Sequence, residues 1–461
     1  MKKIVLIVII LLFTSESYSQ NYFLYAVGNN QNGQLGVGSF SNKSKHAVVS
    51  YEGEWNSVSS GLAHTSGIKS DRSLWTWGHN GYGQLGNGTF VDKNHPVIID
   101  AENTWITVSS GLRHTVGIVY DGRIMAWGRN NFGQLGDGTY DDKNSLVEIE
   151  GNDWVEVSSG GEFTTALKKD GTLWSWGNNE FGQLGIGSTF TQNSPVQVGE
   201  DNDWLQISAG TGHCLALKRN GTLWAWGDSY SGQVGDISFN EFHTPTQIGN
   251  DKWLKIAAGG SHSVAIKSDG TMWSWGFNGY GQLGVGSIAS KFRPTQVGKD
   301  STWKEVSCGG RHTMALKQDG SLWAWGLNSS GQVGNRTFVD ARYPESISEK
   351  KNWRYINCGF ESSFALNTDY IYSVERKLNT EYLSIYPNPA SNSINLKISA
   401  NFGDLIKIKD LFGKEIIKIK LNRLYENENF KLDINSLNSG IYFVELESNE
   451  TIFFNKLIIS R

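Results

Sequence analysis

Several residue types are scarce in this chain. Its 461 residues include seven prolines, three cysteines and four methionines, and only 19% of the residues are charged. The net charge of −4 predicts no broad basic surface, which argues against nucleic-acid binding. No nucleophile elbow, metalloprotease helix motif, phosphate loop or dinucleotide fingerprint occurs, and no pair of carboxylates can be nominated as catalytic acids. We therefore expect neither an enzyme nor a bound cofactor.

Long hydrophobic runs are also scarce. One run, residues 4–13, follows two lysines and precedes the small-x-small pattern Ser17-Tyr18-Ser19. It is too short to span a bilayer as a helix, which needs about 20 residues. This order is typical of a secretory signal peptide, predicted for residues 1–19. No membrane-spanning helix is expected in the rest of the chain.

What the sequence has in abundance is a repeat. Successive copies of the motif G-Q-[LV]-G start 50, 50, 49, 50, 49 and 50 residues apart. A period this regular indicates one supersecondary unit copied seven times. The motif begins at Gly33, Gly83, Gly133, Gly182, Gly232, Gly281 and Gly331.

Each copy contains three readable strands. The first has the form W-x-x-[VI]-S-S-G, the second alternates apolar and polar residues, and the third reads L-W-x-W-G. Alternation indicates β-strand rather than helix. Asp-Gly or Asn-Gly between the second and third strands suits a two-residue hairpin, because both residues tolerate positive φ. A fourth, proline-containing strand suits an outer edge and is predicted at 95–99, 194–198, 244–248 and 293–297.

Four antiparallel strands in each of seven copies predict an all-β fold, a seven-bladed β-propeller. The chain starts within one repeat and ends the last repeat early, so we expect one blade to be shared by both ends. Residues 23–27 would complete the blade whose inner strands come from residues 353–369. Residues 371–374 look like a degenerate third strand and compete for that place. The N-terminal segment is favoured because it carries G-Q-L-G.

All 18 tryptophans lie inside the repeats. Burying one indole contributes up to ~5 kcal/mol, from about 200 Å² at roughly 25 cal/mol/Å². We interpret these tryptophans as packing within and between blades. The alternative, a ring of exposed aromatic platforms for a ligand, is disfavoured by their strict period.

The copies resemble RCC1 (regulator of chromosome condensation) repeats. The resemblance rests on G-x-x-H-T-x-A-L followed by D-G, L-W-x-W-G and G-Q-L-G, and covers residues 23–374. It implies a seven-bladed propeller but no single function, because functions are grafted onto folds. Relatives include a nuclear exchange factor for a small GTPase, a plant ultraviolet receptor and a secreted inhibitor of β-lactamase. The receptor's Gly-Trp-Arg-His-Thr motif is absent, since residues 111–115 and 309–313 read GLRHT and GGRHT.

A second domain is expected where the tryptophans stop. Short strands are predicted there at 406–410, 415–421, 439–446 and 456–460. The region resembles the type A C-terminal sorting domain of the type IX secretion system. This implies contact with the secretion machinery and a secreted or outer-surface location; a small adhesive β-sandwich is the alternative. The resemblance rests on Tyr386, Pro387, Asn388, Pro389, Gly440, Tyr442 and Lys456.

The expected organisation has four parts. A signal peptide (1–19) precedes the propeller (20–375), a linker (376–382) and a β-sandwich sorting domain (383–461).

Two groups of residues invite a chemical interpretation. Cys308 and Cys358 share one position of neighbouring first strands, so a disulfide is conceivable in an exported protein; otherwise they are small buried residues in place of serine. Cys214 has no evident partner. Five copies carry a histidine at one repeat position, but on separate blades these residues are too far apart to share a metal. We expect each to tie its blade to the next: His64, His114, His213, His262 and His312, with Phe163 and Ser362 in the other two copies.

Loop residues on one rim vary between copies. Aromatic side chains and arginine suit a protein-recognition surface around a rigid ring, although the aromatics would also suit local packing under the G-Q-L-G loop. The candidate binding residues are His79, Tyr82, Arg113, Arg129, Phe132, Phe181, Phe277, Tyr280 and Arg311.

The sequence therefore predicts an exported, non-enzymatic propeller that binds an extracellular or surface protein through one rim. A glycan-binding module and a hydrolase with a site in the central channel are the alternatives. Guanine-nucleotide exchange follows from fold analogy alone and conflicts with export, because a small GTPase would be intracellular.

Overall fold

The structure is a computed structural model of the chain. It describes residues 23–49, 55–100, 104–237, 241–368, 383–398, 405–410, 415–420, 428–448 and 451–461. The predicted signal peptide and the competing segment 371–374 lie outside the described residues.

Seven four-stranded antiparallel sheets form the blades, numbered 1 to 7 from Trp55. The first strands are β3 (Trp55–Ser60), β7 (Trp105–Ser110), β11 (Trp154–Ser159), β15 (Trp204–Ala209), β19 (Trp253–Ala258), β23 (Trp303–Cys308) and β27 (Trp353–Cys358). The second strands are β4 (His64–Lys69), β8 (His114–Val119), β12 (Phe163–Lys168), β16 (His213–Lys218), β20 (His262–Lys267), β24 (His312–Lys317) and β28 (Ser362–Asn367).

The third and fourth strands complete each blade outwards. The third strands are β5 (Leu74–Gly78), β9 (Ile124–Gly128), β13 (Leu173–Gly177), β17 (Leu223–Gly227), β21 (Met272–Gly276), β25 (Leu322–Gly326) and, in blade 7, β1 (Phe23–Gly28). The outer strands are β6 (Lys93–Asp100), β10 (Lys143–Ile149), β14 (Gln192–Gln197), β18 (Phe242–Gln247), β22 (Lys291–Gln296), β26 (Ala341–Ser346) and, in blade 7, β2 (Lys43–Val48).

Blade 7 closes the ring with strands from both ends of the propeller. Strand β1 pairs with β28 from Phe23 opposite Asn367 to Gly28 opposite Ser362, and β2 pairs with β1 on the outside. Strand β27 also contacts β3 of blade 1. The predicted closure by the N-terminal segment is therefore confirmed. It pairs the edge of β28 that would otherwise be free, and it brings blade 7 against blade 1.

The tryptophans pack as the repeat predicted. Thirteen of the 18 are buried and five are half-buried. In blade 6, Trp303 packs edge-on against Trp323 with ring centres 5.9 Å apart, and the ammonium of Lys317 lies 3.8 Å from the Trp323 ring centre. The half-buried indoles are thus covered by a lysine of their own blade. None of them is an open platform for a ligand.

The G-Q-[LV]-G loop joins each blade to the next. Between blades 1 and 2, the carbonyl of Gln84 accepts hydrogen bonds from Trp127 Nε1 at 2.9 Å and from the Thr115 hydroxyl at 3.1 Å. His64 Nε2 lies 2.9 Å from that hydroxyl. Because the hydroxyl proton is directed to the carbonyl, the imidazole Nε2–H donates. All five repeat histidines bond a threonine or serine of the following blade in this way, at 2.9–3.1 Å.

We call the contact between two adjacent blades a seam, and two of the seven seams depart from this pattern. Blade 3 has Phe163 in place of histidine, and blade 4 has Cys214 in place of the facing hydroxyl; both belong to one apolar cluster. The Cys214 thiol lies 3.6 Å from the carbonyl of Gln183. Between blades 7 and 1, Ser60 bridges two hydroxyls, from Ser362 at 3.1 Å and from Thr65 at 3.0 Å. Cys214 is therefore buried in the same apolar cluster as the phenylalanine of the preceding blade.

The C-terminal region contains two antiparallel sheets. One holds β29 (Leu383–Tyr386), β30 (Ser393–Ile398) and β33 (Glu428–Asp433); the other holds β31 (Leu405–Asp410), β32 (Glu415–Lys420), β34 (Gly440–Ser448) and β35 (Thr451–Ile459). Apolar residues of both sheets, including Leu396, Ile408 and Val444, form one core. This arrangement is a small β-sandwich.

Candidate recognition surface

The two faces of the propeller carry different loops. The GQ face bears the loops between first and second strands and the G-Q-[LV]-G loops, which are residues 61–63 and 79–92 in blade 1. The hairpin face bears the turns between second and third strands, residues 70–73 in blade 1. All nine predicted rim residues lie on the GQ face.

A first cluster joins blades 1, 2 and 3 on the GQ face. Arg113 and Arg129 place their guanidinium carbons 5.6 and 5.1 Å from the ring centre of Tyr82. Both arginines pair with Glu162 Oε1, at 3.6 and 3.1 Å. His79 packs edge-on against Tyr82, with ring centres 6.2 Å apart, and its Nδ1 forms a hydrogen bond with the side-chain amide of Gln84. The cluster is held in place by its own contacts and stays partly open to solvent, since the two arginine side chains are 34% and 22% exposed.

A second cluster joins blades 5 and 6 on the same face. Phe277 and Tyr280 pack edge-on with ring centres 6.1 Å apart, and the guanidinium of Arg311 lies 5.2 Å from the Tyr280 ring centre. Arg311 is exposed. The second cluster repeats the tyrosine–arginine contact of the first, but it lacks an arginine at the place of Arg129, where the chain has Leu327.

The aromatic residues before G-Q-[LV]-G are held locally and remain partly exposed. The backbone N–H of Phe132 donates to the Gln134 side chain at 2.8 Å, and equivalent bonds of 2.8–3.0 Å hold Tyr82, Phe181 and Tyr280. All four side chains are half-buried. Phe181 lies close to Gly212 of the next blade: a Cβ atom added to that glycine would be 3.4 Å from Cδ2 of the Phe181 ring. Each ring therefore packs locally and still shows part of its surface.

Sequence reasoning missed two elements of this face. Glu162 bridges the two arginines, and its signal is that it occupies in blade 3 the repeat position that Arg113 occupies in blade 2. The second element is a girdle of large apolar side chains seven or eight residues after the first glycine of G-Q-[LV]-G. These side chains are 52–76% exposed, and they are Phe40, Phe90, Tyr140, Phe190, Ile288 and Phe338.

An axial cavity of about 220 Å³ opens between the first strands, and residues of all seven blades line it. The lining consists mainly of small residues such as Ser59, Ser109 and Gly160, with a few larger ones such as Ile256 and Phe360, and its described members include no carboxylate, imidazole or amine. A hydrolase needs an activated nucleophile or a positioned acid and base. The only potential nucleophiles beyond hydroxyls in this lining are two thiols.

Cys308 and Cys358 are free thiols in the structure, so the conceived disulfide is absent there. The Cys358 thiol lies 3.3 Å from the carbonyl of Ser307. In earlier blades the Ser110 hydroxyl makes the equivalent bond to the Ser59 carbonyl at 3.1 Å. Burial raises the pKa of the Cys358 thiol to about 12, which keeps it protonated and unreactive at neutral pH. The thiol thus occupies the same place as the serine hydroxyl of the other blades and makes the same contact.

The five repeat histidines do not converge on one point. Each Nε2 bonds a hydroxyl of the following blade, and among the described residues no three His, Cys, Asp or Glu side chains come together as metal ligands would. Burial lowers the pKa of His64, His114, His213 and His262 to about 3 and that of His312 to about 4. The imidazoles are therefore neutral, and they tie the blades together.

The C-terminal motif residues form one unit although they are distant in sequence. Asn388 Nδ2 donates to the carbonyl of Lys456 at 2.6 Å, and its Oδ1 accepts from the N–H of Ile458 at 2.8 Å. The side chain thus pairs with the last strand as a backbone amide would, between Pro387 and Pro389. Tyr442, near Gly440, donates its hydroxyl to the carbonyl of Asn438 at 3.1 Å.

Family models match both parts of the chain. The model of the RCC1-like domain matches residues 142–374, just over half of the 461 residues, and models of the RCC1 repeat match residues 71–118 and 105–134. The chain belongs to the RCC1-like family. The model of the secretion system C-terminal sorting domain matches residues 384–460. This RCC1-like propeller is therefore exported by type IX secretion, to the cell surface or beyond it, and its C-terminal domain interacts with that machinery.

Solved structures share the RCC1-like fold. Human WBSCR16 is 22% identical with a TM-score of 0.70, over 76% of this chain and 100% of that chain. Prp20p of Saccharomyces cerevisiae is 21% identical with a TM-score of 0.69, over 77% of this chain and 93% of its own. These identities show the fold alone. No curated protein matches the chain.

The described part of this RCC1-like chain has no helix with the length and hydrophobicity to cross a membrane.

Proposed function

We propose that this exported RCC1-like propeller is a non-enzymatic recognition protein that binds another surface or extracellular protein through the GQ face of blades 1 to 3. The observation that carries the proposal is the arrangement of Arg113 and Arg129 between Tyr82 and Glu162. Aromatic side chains and arginines are the residue types enriched where proteins bind each other most strongly. Here they are ordered before any partner arrives, which lowers the entropy lost on binding.

The charge of this cluster supports an acidic contact from the partner. Two guanidinium groups share the single carboxylate of Glu162, so one positive charge stays without a counterion inside the cluster. A carboxylate of a bound protein would supply it, in the planar geometry that arginine favours. Half-buried Phe132, on the adjacent loop of blade 2, would contribute apolar contact area beside the charge.

A protein that shares this fold does bind other proteins. The Prp20p structure is described together with its binding to Gsp1p and histones, and yeast RCC1 (Prp20) has been solved with Kap60 bound. For the present chain, the described lining of the axial cavity offers hydroxyl and thiol side chains without a base to activate them. This composition supports binding rather than hydrolysis.

Affinity capture on the native surface fraction and medium tests the proposal. The full chain is immobilised, and bound proteins are quantified for the wild type and for Arg129→Ala and Phe132→Ala. We expect each substitution to reduce capture of one protein by roughly tenfold, which corresponds to about 1.4 kcal/mol. Arg123→Ala is the matched control, because Arg123 lies on the hairpin face of the same blade. If capture is unchanged in both GQ-face variants, the proposed surface is wrong.

A glycan ligand is the second candidate, and the exposed girdle favours it. Aromatic rings of Phe40, Phe90 and Tyr140 stand more than half exposed at equivalent positions of three successive blades, as stacking platforms for sugar rings would. A glycan array with the wild type and Phe90→Ala separates the two candidates. Binding of defined glycans that Phe90→Ala weakens and Arg129→Ala leaves intact would favour the glycan.

A further inference from the structure

The first strand of every blade has a β-bulge directly after its tryptophan. In blade 4 the pairing with the second strand runs from Trp204 opposite Lys218 to Gln206 opposite Leu217, so Leu205 has no partner and is extruded. The same shift follows the first tryptophan of all seven blades. A bulge changes the direction of a side chain, and bulges are over-represented beside functional sites.

The seven bulge residues form a ring on the hairpin face, around the second mouth of the axial channel. Neighbouring first strands contact each other all round the propeller, so the bulge residues occupy equivalent positions on adjacent strands. All seven are exposed. In order from blade 1 they are Asn56, Ile106, Val155, Leu205, Leu254, Lys304 and Arg354.

One part of this bulge ring is apolar. Blades 2 to 5 present four aliphatic side chains in succession, and they are 40%, 50%, 58% and 55% exposed: Ile106, Val155, Leu205 and Leu254. Tyr120, 79% exposed, extends the apolar area on blade 2. Single exposed aliphatic residues are ordinary, but four of them at the same position of four adjacent blades are typical of an interaction site. Asparagine, lysine and arginine occupy the same bulge elsewhere, so the fold does not require aliphatic residues there.

The remaining part of the ring is basic. Lys304 and Arg354 are exposed on blades 6 and 7, and neither forms an ion pair with a described residue. One residue further along these strands, Lys255 pairs with Glu305 at 3.2 Å, so that lysine already has a counterion. The unmatched charge on the ring is therefore positive and lies beside the apolar residues.

We propose that the bulge ring docks a protruding segment of a partner protein in which large apolar side chains are followed by carboxylates. The apolar side chains would cover blades 2 to 5, and the carboxylates would meet Lys304 and Arg354. This surface lies on the opposite side of the ring from the proposed protein-binding face, and it stands on its own geometry, whatever the GQ face binds.

Short synthetic peptides test the chemistry directly. Three fluorescent peptides, composed of Leu and Glu, of Leu and Lys, and of Ser and Glu, are titrated against the full chain by anisotropy. The Leu/Glu peptide is expected to bind at least about tenfold more tightly than the other two. Leu205→Asp and Leu254→Asp should each weaken its binding by about tenfold. The double variant Lys304→Glu with Arg354→Glu should reverse the preference towards the Leu/Lys peptide.

Controls separate this site from the rest of the molecule. Arg129→Ala on the GQ face should leave peptide binding unchanged, and near-ultraviolet circular dichroism verifies that each variant is folded. The proposal is overturned if the wild type shows no preference among the peptides or if the bulge variants bind as the wild type does. Sedimentation that shows a dimer which Leu205→Asp dissociates would also overturn it, because the occupant would then be a second copy.

Discussion

The seam between blades 3 and 4 differs from the five seams that contain histidine. In those five, an imidazole, a hydroxyl and a carbonyl form a buried polar chain across the blades. At the exceptional seam Phe163 and Cys214 replace the imidazole and the hydroxyl together, and both pack in an apolar cluster. A seam can therefore be polar or apolar, provided that the two facing side chains are both polar or both apolar. The reason is that a buried polar group without its partner is costly, whereas two matched apolar groups are not.

The largest loss of stability at the apolar seam is expected from removing the ring of Phe163. Phe163 is fully buried, and Phe163→Ala should lower the free energy of unfolding by about 3–5 kcal/mol, through lost burial and the cavity that remains. Urea unfolding followed by tryptophan fluorescence measures the change. A variant that unfolds at the wild-type urea concentration would show that this seam does not hold the ring.

The pairing rule itself is tested by converting one kind of seam into the other. Phe163→His alone should destabilise by about 1–3 kcal/mol, because the new imidazole would face a thiol among apolar residues. Adding Cys214→Thr should recover part of that loss, with a coupling of about 0.5–3 kcal/mol in the double-mutant cycle. Additive effects of the two substitutions would contradict the rule.

Acid should weaken the polar seams. Burial lowers the folded pKa of His46 and of the five repeat histidines to about 3–4, against 6.5 in the unfolded chain. Their contribution to stability is complete above pH 6.5 and is lost progressively as the pH falls towards the folded values. Burial raises the pKa of Glu156 to about 7, which acts in the opposite direction.

Near pH 5.5 unfolding should therefore take up about five protons, six for the histidines less one for Glu156. His114→Phe combined with Thr164→Cys builds a second apolar seam and should reduce that uptake by about one. The pH dependence of the urea midpoint measures it. An unchanged slope in the double variant would mean that His114 is not a buried neutral imidazole.

The smallest effect on stability is expected at the GQ face. Arg129 is partly exposed and shares its carboxylate with Arg113, so Arg129→Ala should change the free energy of unfolding by less than about 1 kcal/mol. The same urea experiment checks this. A large loss would assign Arg129 to the seams and remove it from the recognition surface.

The repeat spacing was enough to predict the blades, their closure by residues 23–27 and the role of the histidines, because each of these repeats with the period. The outer strands begin a few residues earlier than predicted, as at Lys93, since pairing with Gly78 starts before the proline-containing stretch. Features that depend on the direction of a side chain, or on a single residue that departs from the repeat, were harder to foresee. Glu162 contacts two arginines of the neighbouring blade, and the exposure of Phe90 or Leu205 depends on where a loop or bulge turns a side chain.

The cysteines show the same limit. Their shared repeat position was read correctly, but position alone does not give the direction of a thiol. In the structure the Cys308 thiol lies 3.5 Å from the carbonyl of Ala257 and the Cys358 thiol lies 3.3 Å from that of Ser307, so each thiol is directed to a backbone carbonyl of the preceding blade, as serine would be.

Hydrogen exchange on the complex with the captured surface protein tests the recognition surface most directly. The account predicts that the bound protein protects backbone amides of residues 79–84, 111–113 and 129–134, on the GQ face of blades 1 and 2. It also predicts that Arg129→Ala abolishes this protection at the same protein concentrations. Protection that leaves these three loops unchanged would contradict it.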